Sequence, residues 1–178
     1  MEKLVASLSQ LQAKILDEKS IQFICLIELN WGSQTDTSKI QINSALEQLR
    51  INHPTFIYTT KSHCPNAGTL LLSPHPCGVD IESTIRLEDR IIQRVSNRAE
   101  INETPNLKRL WSAKEAAFKS LKTFQQPTVI SEILCHSWQQ MLDLPFYEFK
   151  ASVNNHVVGF GYSYLSDEFS LALFFYKF

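Results

Sequence analysis

The last third of the chain places the tightest limits on the fold, because three strand-like segments there are separated only by short polar turns. The segments cover residues 147–153, 157–165 and 169–176. Asn154 and Asn155 form the first connection, and the second reads Ser-Asp-Glu at 166–168. These residues are typical of tight turns between antiparallel strands. We therefore expect an antiparallel sheet at the C-terminal end.

Helices and shorter strands are predicted upstream of this sheet. Apolar spacing and capping residues predict four helices, at about 4–15, 38–49, 87–95 and 104–122. Thr104 is the expected N-cap of the last helix, with Pro105 as its first residue. Strands are expected at 21–29, 55–60, 69–73 and 79–82. This order predicts an α+β protein with two halves, 1–77 and 78–178, packed as one unit.

The overall composition restricts the class of function. At 178 residues, with 44% hydrophobic and 20% charged residues, the chain is typical of a soluble globular protein. Its formal net charge of -1 gives no general attraction for nucleic acid or an acidic membrane. The first 19 residues lack a continuous apolar stretch, and the four cysteines lack Cys-x-x-Cys spacing. We therefore expect a cytoplasmic protein with reduced cysteines, and neither nucleic acid nor a membrane as a partner.

Asp80 and Glu82 lie two residues apart in a short apolar strand, so their side chains point to the same side. Two neighbouring carboxylates repel each other, and burying them is costly without a cation. Magnesium prefers such oxygen ligands, often together with substrate phosphates. The alternative is that both side chains face solvent on an edge strand.

Glu115 and Lys119 are four residues apart in the predicted long helix and therefore share one face. With a nearby carboxylate pair, they and Lys114 would provide charges suited to a pyrophosphate. The alternative is that Glu115 and Lys119 form an ordinary surface ion pair, which stabilises a helix by only a few tenths of a kcal/mol. Lys114 would then be a lysine whose ammonium group extends to solvent. Spacing alone does not decide between the two.

Two of these segments together resemble the paired signature of the 4′-phosphopantetheinyl transferase superfamily. They are Gly-Val-Asp-Ile-Glu at 78–82 and Trp-Ser-Ala-Lys-Glu at 111–115, the latter followed by Lys119. Upstream, Ser-His-Cys at 62–64 lies where surfactin-type members carry Ser-His-Ser. The resemblance covers 60–122 and implies the two-halved transferase fold, with two pseudosymmetric halves of helices and antiparallel strands.

The resemblance implies a magnesium-dependent enzyme. It would transfer the 4′-phosphopantetheine arm of coenzyme A to a serine of an acyl or peptidyl carrier protein and release 3′,5′-ADP. Asp80, Glu82 and Glu115 would hold Mg²⁺, which in turn would bind the pyrophosphate. Lys119 would stabilise or protonate the departing phosphate.

Further roles follow from the same resemblance. Lys114 would hold one phosphate, and His63 would donate a hydrogen bond to another. Lys61, which replaces an apolar residue of the family pattern, is a further candidate for binding coenzyme A. Glu115, Glu100 or a metal-bound water could accept the proton of the acceptor serine.

The first half departs from the surfactin-type pattern. It lacks the family's Gly-Lys-Pro segment, and its basic residues between Lys19 and Gly78 are limited to Lys39, Arg50 and Lys61. How the 3′-phosphate and adenine are bound therefore stays open, as does the alternative of a non-catalytic module that binds coenzyme A or a carrier protein. The length before Gly78 predicts the two-halved, monomeric branch. The sequence does not specify the carrier protein or its pathway.

Overall fold

Two antiparallel sheets form the framework of the computed structural model, which describes residues 2–32, 36–124 and 126–177. The first sheet has the strand order β1-β3-β2, with β1 (Ile24–Glu28), β2 (Tyr58–Cys64) and β3 (Ala67–Ser73). It is accompanied by helices α1 (Glu2–Lys19) and α2 (Asp36–Asn52). The predicted apolar side of α1 is buried, which confirms the first helix.

The second sheet has the strand order β4-β8-β7-β6-β5. Its strands are β4 (Cys77–Ser83), β5 (Ile133–Gln140), β6 (Phe146–Val153), β7 (His156–Leu165) and β8 (Phe169–Tyr176). The predicted C-terminal strands are confirmed as β6, β7 and β8. Asn154 and Asn155 between β6 and β7 have φ values of 51° and 63°, a left-handed conformation that asparagine tolerates. The predicted α+β class is confirmed.

Three helices connect β4 to β5, namely α3 (Asp89–Arg94), α4 (Arg98–Glu103) and α5 (Leu107–Ser120). The N-cap predicted at Thr104 is wrong, because the side chain of Asn106 accepts a hydrogen bond from the Lys108 amide at 2.8 Å and caps α5. The helix predicted at 87–95 is shorter and is followed by α4. Asn97 and Glu100 form a capping box that starts α4 as a separate helix.

Helix α5 packs closely onto β4 because Gly78 has no side chain. A Cβ atom at Gly78 would lie 1.8 Å from the carbonyl oxygen of Ala116. The apolar side of α5 is buried against the second sheet, with Leu110 and Ala113 both 0% exposed. The close approach also brings Glu115 and Lys119, which flank this buried side, next to β4, where Lys119 Nζ donates to the Val79 carbonyl.

The two sheets meet where β2 packs against β4, the edge strand of the second sheet. The Ser62 hydroxyl donates to Asp80 across this boundary, and the Cys77 thiol donates to the carbonyl of Tyr58. None of the helices in the described part of the chain is both long and apolar enough to cross a membrane.

Candidate active site

Side chains from both sheets line one cavity of about 480 Å³, which we call the carboxylate cavity. Strand β4 contributes Asp80 and Glu82, and α5 contributes Glu115 and Lys119. The remaining lining residues come from β2 and α2 and are Lys61, Ser62, His63, Lys39, Ile42 and Asn43. Six of the eight site residues predicted from the sequence therefore lie around one space.

Asp80 lies at the centre of a charged network. It is only 1% exposed, and its Oδ1 accepts from Lys119 Nζ at 2.8 Å and from Ser62 Oγ at 2.9 Å. Lys119 Nζ also donates to Ser62 Oγ at 3.0 Å and to the Val79 carbonyl at 3.2 Å. The three protons of the ammonium group are therefore all used. These bonds fix Lys119 against β4 rather than leaving it in solvent.

The second oxygen of Asp80 is the unsatisfied part of this network. Asp80 Oδ2 is buried and has no hydrogen-bond partner among the described residues. A buried carboxylate oxygen without a donor or a cation is costly. The atom therefore marks a position where an additional positive charge would stabilise the site.

The neighbouring carboxyl groups show the same excess of negative charge. Burial, followed by repulsion from Asp80, raises the pKa of Glu82 from 4.5 to about 7, although Lys119 opposes the shift. Burial and Asp80 also raise the pKa of Glu115. Both carboxyl groups would ionise more readily if a cation bound near Asp80, because the cation would offset the repulsion.

The donor atoms fit magnesium in chemical type, because all three predicted ligands offer carboxylate oxygens and one of those oxygens is unpaired. They do not form a finished coordination sphere. Within residues 2–32, 36–124 and 126–177, no three His, Cys, Asp or Glu side chains are arranged to hold a metal ion as they stand. The metal role of Asp80, Glu82 and Glu115 therefore stays a prediction.

Lys61 and His63 lie at the rim of the carboxylate cavity. Both side chains are exposed, and Lys61 Nζ donates to Asn43 Oδ1 at 2.6 Å, which ties β2 to α2. Alternation along β2 turns Ser62, between them, toward Asp80. The rim positions suit contacts with a ligand that enters the cavity from solvent.

Lys114 and Glu100 are not brought to the carboxylate cavity. Lys114 is 0% exposed, and its Nζ lies 2.8 Å from Glu100 Oε1 while also donating to the Ile133 carbonyl. Glu100 is 3% exposed and accepts from the amides of Asn97 and Cys135. The two charges neutralise each other inside the protein, so we leave Lys114 and Glu100 out of the proposed ligand contacts.

Ser62 is a site residue whose role sequence reasoning missed. Its motif, Ser-His-Cys at 62–64, resembles the family's Ser-His-Ser, but the resemblance implied a role only for His63. The bonds from Ser62 to Asp80 and Lys119 depend on β2 packing against β4, and no local pattern predicts that contact.

A second cavity adjoins the first on the side of Lys61 and Lys119, which line both. We call it the lysine cavity. It has a volume of about 580 Å³ and is also lined by Lys122, Tyr58 and Leu46. Neither Lys39 in the carboxylate cavity nor Lys122 here was predicted as a site residue, because exposed lysines carry no distinguishing pattern in a sequence.

Comparison with known protein families gives a match to the region that contains β4 and α5. The family model described as the 4′-phosphopantetheinyl transferase superfamily matches residues 76–165, about half of the chain. The match includes β4 and α5, and with them all three predicted metal ligands and Lys119. It leaves β2 and α2 outside. A comparison with curated proteins found no match.

Proposed function

The chain belongs to the 4′-phosphopantetheinyl transferase superfamily, and from this premise we propose that it transfers the phosphopantetheine arm of coenzyme A to a serine of an acyl or peptidyl carrier protein with the help of Mg²⁺. The observation that carries the proposal is the carboxylate cavity itself. Asp80, Glu82, Glu115 and Lys119 converge there, and one buried oxygen of Asp80 lacks a partner. This is the charge pattern that a cation and a pyrophosphate would complete.

The proposed reaction is a displacement at the β-phosphorus of coenzyme A. The serine oxygen forms a bond to phosphorus, the bond to the bridging oxygen breaks, and 3′,5′-ADP leaves with the electron pair. Asp80, Glu82 and Glu115 would hold the metal, which when bound would offset the negative charge of the pyrophosphate. Lys119 would place its ammonium group beside the departing phosphate.

The serine proton needs an acceptor, and Glu115 is our candidate. Its carboxyl group lines the cavity beside Asp80 and Glu82, where the acceptor serine would have to reach the pyrophosphate. Glu100 is a poorer candidate, because its carboxylate is buried and already paired with Lys114.

The two adjoining cavities suggest how coenzyme A would lie. We place its pyrophosphate in the carboxylate cavity and its nucleotide in the lysine cavity. Lys61, Lys119 and Lys122 would then face the phosphates, and Tyr58 would line the space for the base. This arrangement would replace the basic segment that the first half of the chain lacks.

One chain supplies the complete cavity, since α2 and β2 come from the first sheet region and β4 and α5 from the second. We therefore propose that the protein acts as a monomer of the two-halved, surfactin-type branch. A sedimentation experiment at assay concentration tests this part, and activity confined to an oligomer would contradict it.

The function is tested by incubating the protein with coenzyme A, Mg²⁺ and several apo carrier proteins, and by measuring the added arm by mass spectrometry. Asp80→Asn and Glu115→Gln should each lower the transfer rate by roughly a hundredfold or more, because each removes a charge that the reaction uses. Asp143→Asn, at an exposed position outside both cavities, is the matched control. Binding of coenzyme A without transfer to any carrier would favour the non-catalytic module instead.

A further inference from the structure

Strand β1 has an outer side that no other strand covers in the part of the chain that the structure describes. The other outer strands are protected, since β2 and β4 pack against each other where the sheets meet. The outer side of β5 is capped by helix α4, where Glu100 accepts from the Cys135 amide at 2.9 Å. Glu103 of the same helix accepts from the Ser137 amide. An open strand edge is a template for pairing with another chain, so β1 is the place to look for a partner.

Two residues of β1 direct their backbone groups to this outer side. The Leu26 carbonyl faces β3, where it accepts from the Thr69 hydroxyl at 3.0 Å. Because backbone groups alternate in direction along a strand, the amides and carbonyls of Cys25 and Ile27 face away from β3. The ladder of the first sheet therefore leaves two donors and two acceptors unused. Such a row of backbone groups is what an added strand pairs with.

A groove of about 650 Å³ runs along the outer side of β1, and we call it the edge groove. All five residues of the strand, Ile24–Glu28, line it. Their side chains point alternately to opposite faces of the sheet, so they can share one groove only along the strand edge. The opposite wall is α1, with Val5, which is 46% exposed, and Gln12, which donates to the outward carbonyl of Phe23. The edge groove therefore combines unused backbone groups with a helix wall.

The side chains of the edge groove define the segment that would fit it. Its apolar lining residues are Val5, Ala6, Leu8, Ile24, Leu26 and Ile27. Among the described residues that line it, only Glu28 is charged, and it is exposed at one end of β1. A second copy of β1 suits this edge poorly, because exchange of bonds between Cys25 and Ile27 of two antiparallel copies places Glu28 opposite Ile24. A segment with Lys or Arg at that position would supply a counter-charge.

We propose that the edge groove binds an extended segment of another protein, which adds to the first sheet as a strand beside β1. The segment would exchange backbone hydrogen bonds with Cys25 and Ile27, pack alternate apolar side chains against α1, and place a Lys or Arg beside Glu28. This inference goes beyond the proposed function, because no described residue of the edge groove lines the carboxylate cavity or the lysine cavity. Binding at β1 should therefore leave the transfer reaction unchanged.

The test uses a synthetic peptide with blocked ends and the sequence Lys-Val-Thr-Val-Thr-Val-Lys, titrated into the whole protein. We expect calorimetry to detect binding, and NMR to show hydrogen exchange slowed by roughly tenfold or more at the amides of Cys25 and Ile27. Two further peptides carry N-methyl groups on alternate residues and so lose the donors along one edge or the other. Only one of them should bind, because an added strand uses one edge. Equal binding of both, or no binding of the unmethylated peptide at millimolar concentration, would overturn the proposal.

Charge reversal checks where the peptide lies. Glu28→Lys should weaken binding by roughly two- to fivefold, and a peptide with Glu in place of both lysines should restore it. Asp17→Lys, at an exposed position of α1 outside the edge groove, is the matched control and should bind as the unmodified protein does. Competition between the peptide and coenzyme A would place the peptide in the carboxylate cavity and overturn the inference. Peptide binding at β1 without any transfer to a carrier would contradict only the proposed function.

Discussion

The buried pair Lys114–Glu100 allows the sharpest prediction, because the resemblance assigned these residues to substrate and catalysis while the structure pairs them with each other. Lys114 Nζ lies 2.8 Å from Glu100 Oε1, and the two side chains are 0% and 3% exposed. If Lys114 serves to neutralise Glu100, its replacement will reduce stability. If it serves to bind coenzyme A, its replacement will reduce affinity.

The expected magnitude for Lys114→Met follows from the burial of the pair. The substitution leaves the Glu100 carboxylate with two backbone amides, those of Asn97 and Cys135, and no counter-charge. Breaking a buried pair in this way typically costs about 3–5 kcal/mol. That is a large part of the roughly 5–15 kcal/mol that stabilises a domain. For a chain of this size it corresponds to a fall in Tm of roughly 6–20 °C.

A double variant distinguishes the loss of the charge pair from the loss of the lysine itself. Lys114→Met/Glu100→Gln removes both charges while retaining a side-chain acceptor at position 100. It should be more stable than Lys114→Met alone, because no uncompensated charge remains in the interior. Lys108→Met, at a half-buried position on the same helix, should change stability by less than about 1 kcal/mol.

The assay is urea unfolding followed by circular dichroism, with coenzyme A binding measured by calorimetry on the same proteins. A Lys114→Met protein as stable as the unmodified chain, but with weaker coenzyme A binding, would refute the argument. The ligand role implied by the family resemblance would then be restored, and the buried position of Lys114 would need to change on binding.

Three further predictions concern β4 and its neighbours. Gly78→Ala should destabilise the fold by about 1–3 kcal/mol and reduce transfer, because its Cβ would meet the Ala116 carbonyl; an unchanged Tm would contradict the close packing. With divalent cations removed, Glu82→Gln should raise Tm at pH 8. The pKa of Glu82 rises from 4.5 to about 7 on folding, so the ionised carboxylate destabilises the fold increasingly between pH 4.5 and 7 and by a constant amount above pH 7. The increase in Tm caused by Glu82→Gln should therefore vanish by pH 4.5. An increase in Tm that persists at pH 4.5 would show that it does not come from the ionisation of Glu82. Ser62→Ala should lower the transfer rate by roughly tenfold or more, because the hydroxyl donates to the charged Asp80, and an unchanged rate would show that Ser62 is not needed to position it.

Sequence patterns correctly predicted those elements whose conformation is determined by residues next to each other in the chain. The turn at Asn154 and Asn155 is such a case, because asparagine adopts the left-handed conformation that the connection requires. Strand β5 was missed because its ladder with β6 is interrupted between His136 and Gln139, and Ser137 has a φ of 57°. Buried and partly exposed positions alternate only in the first part of β5, so the segment is short of the regular alternation that identifies a strand.

The same distinction applies to the charged residues of α5. Glu115 and Lys119 are four residues apart and share one face, as predicted, whereas Lys114 precedes Glu115 by one position and points about 100° away. Helical geometry alone therefore separates Lys114 from the pair, even though the three residues lie in one sequence motif. The start of α4 could also have been predicted from the sequence, because Asn97 is a typical N-cap residue and is followed three positions later by Glu100, the pattern of a capping box.

The contact between β2 and β4 could not be read from the sequence, and it is the contact on which the site depends. Strand β4 is the edge of the second sheet, and an uncovered edge invites pairing with other chains. β2 packs against it through the bond from Ser62 to Asp80, while Lys119 binds both residues from α5. The contacts that join the two sheets therefore also form the carboxylate cavity. The matched family region contributes the carboxylates and Lys119, and the first half contributes Ser62 and the rim.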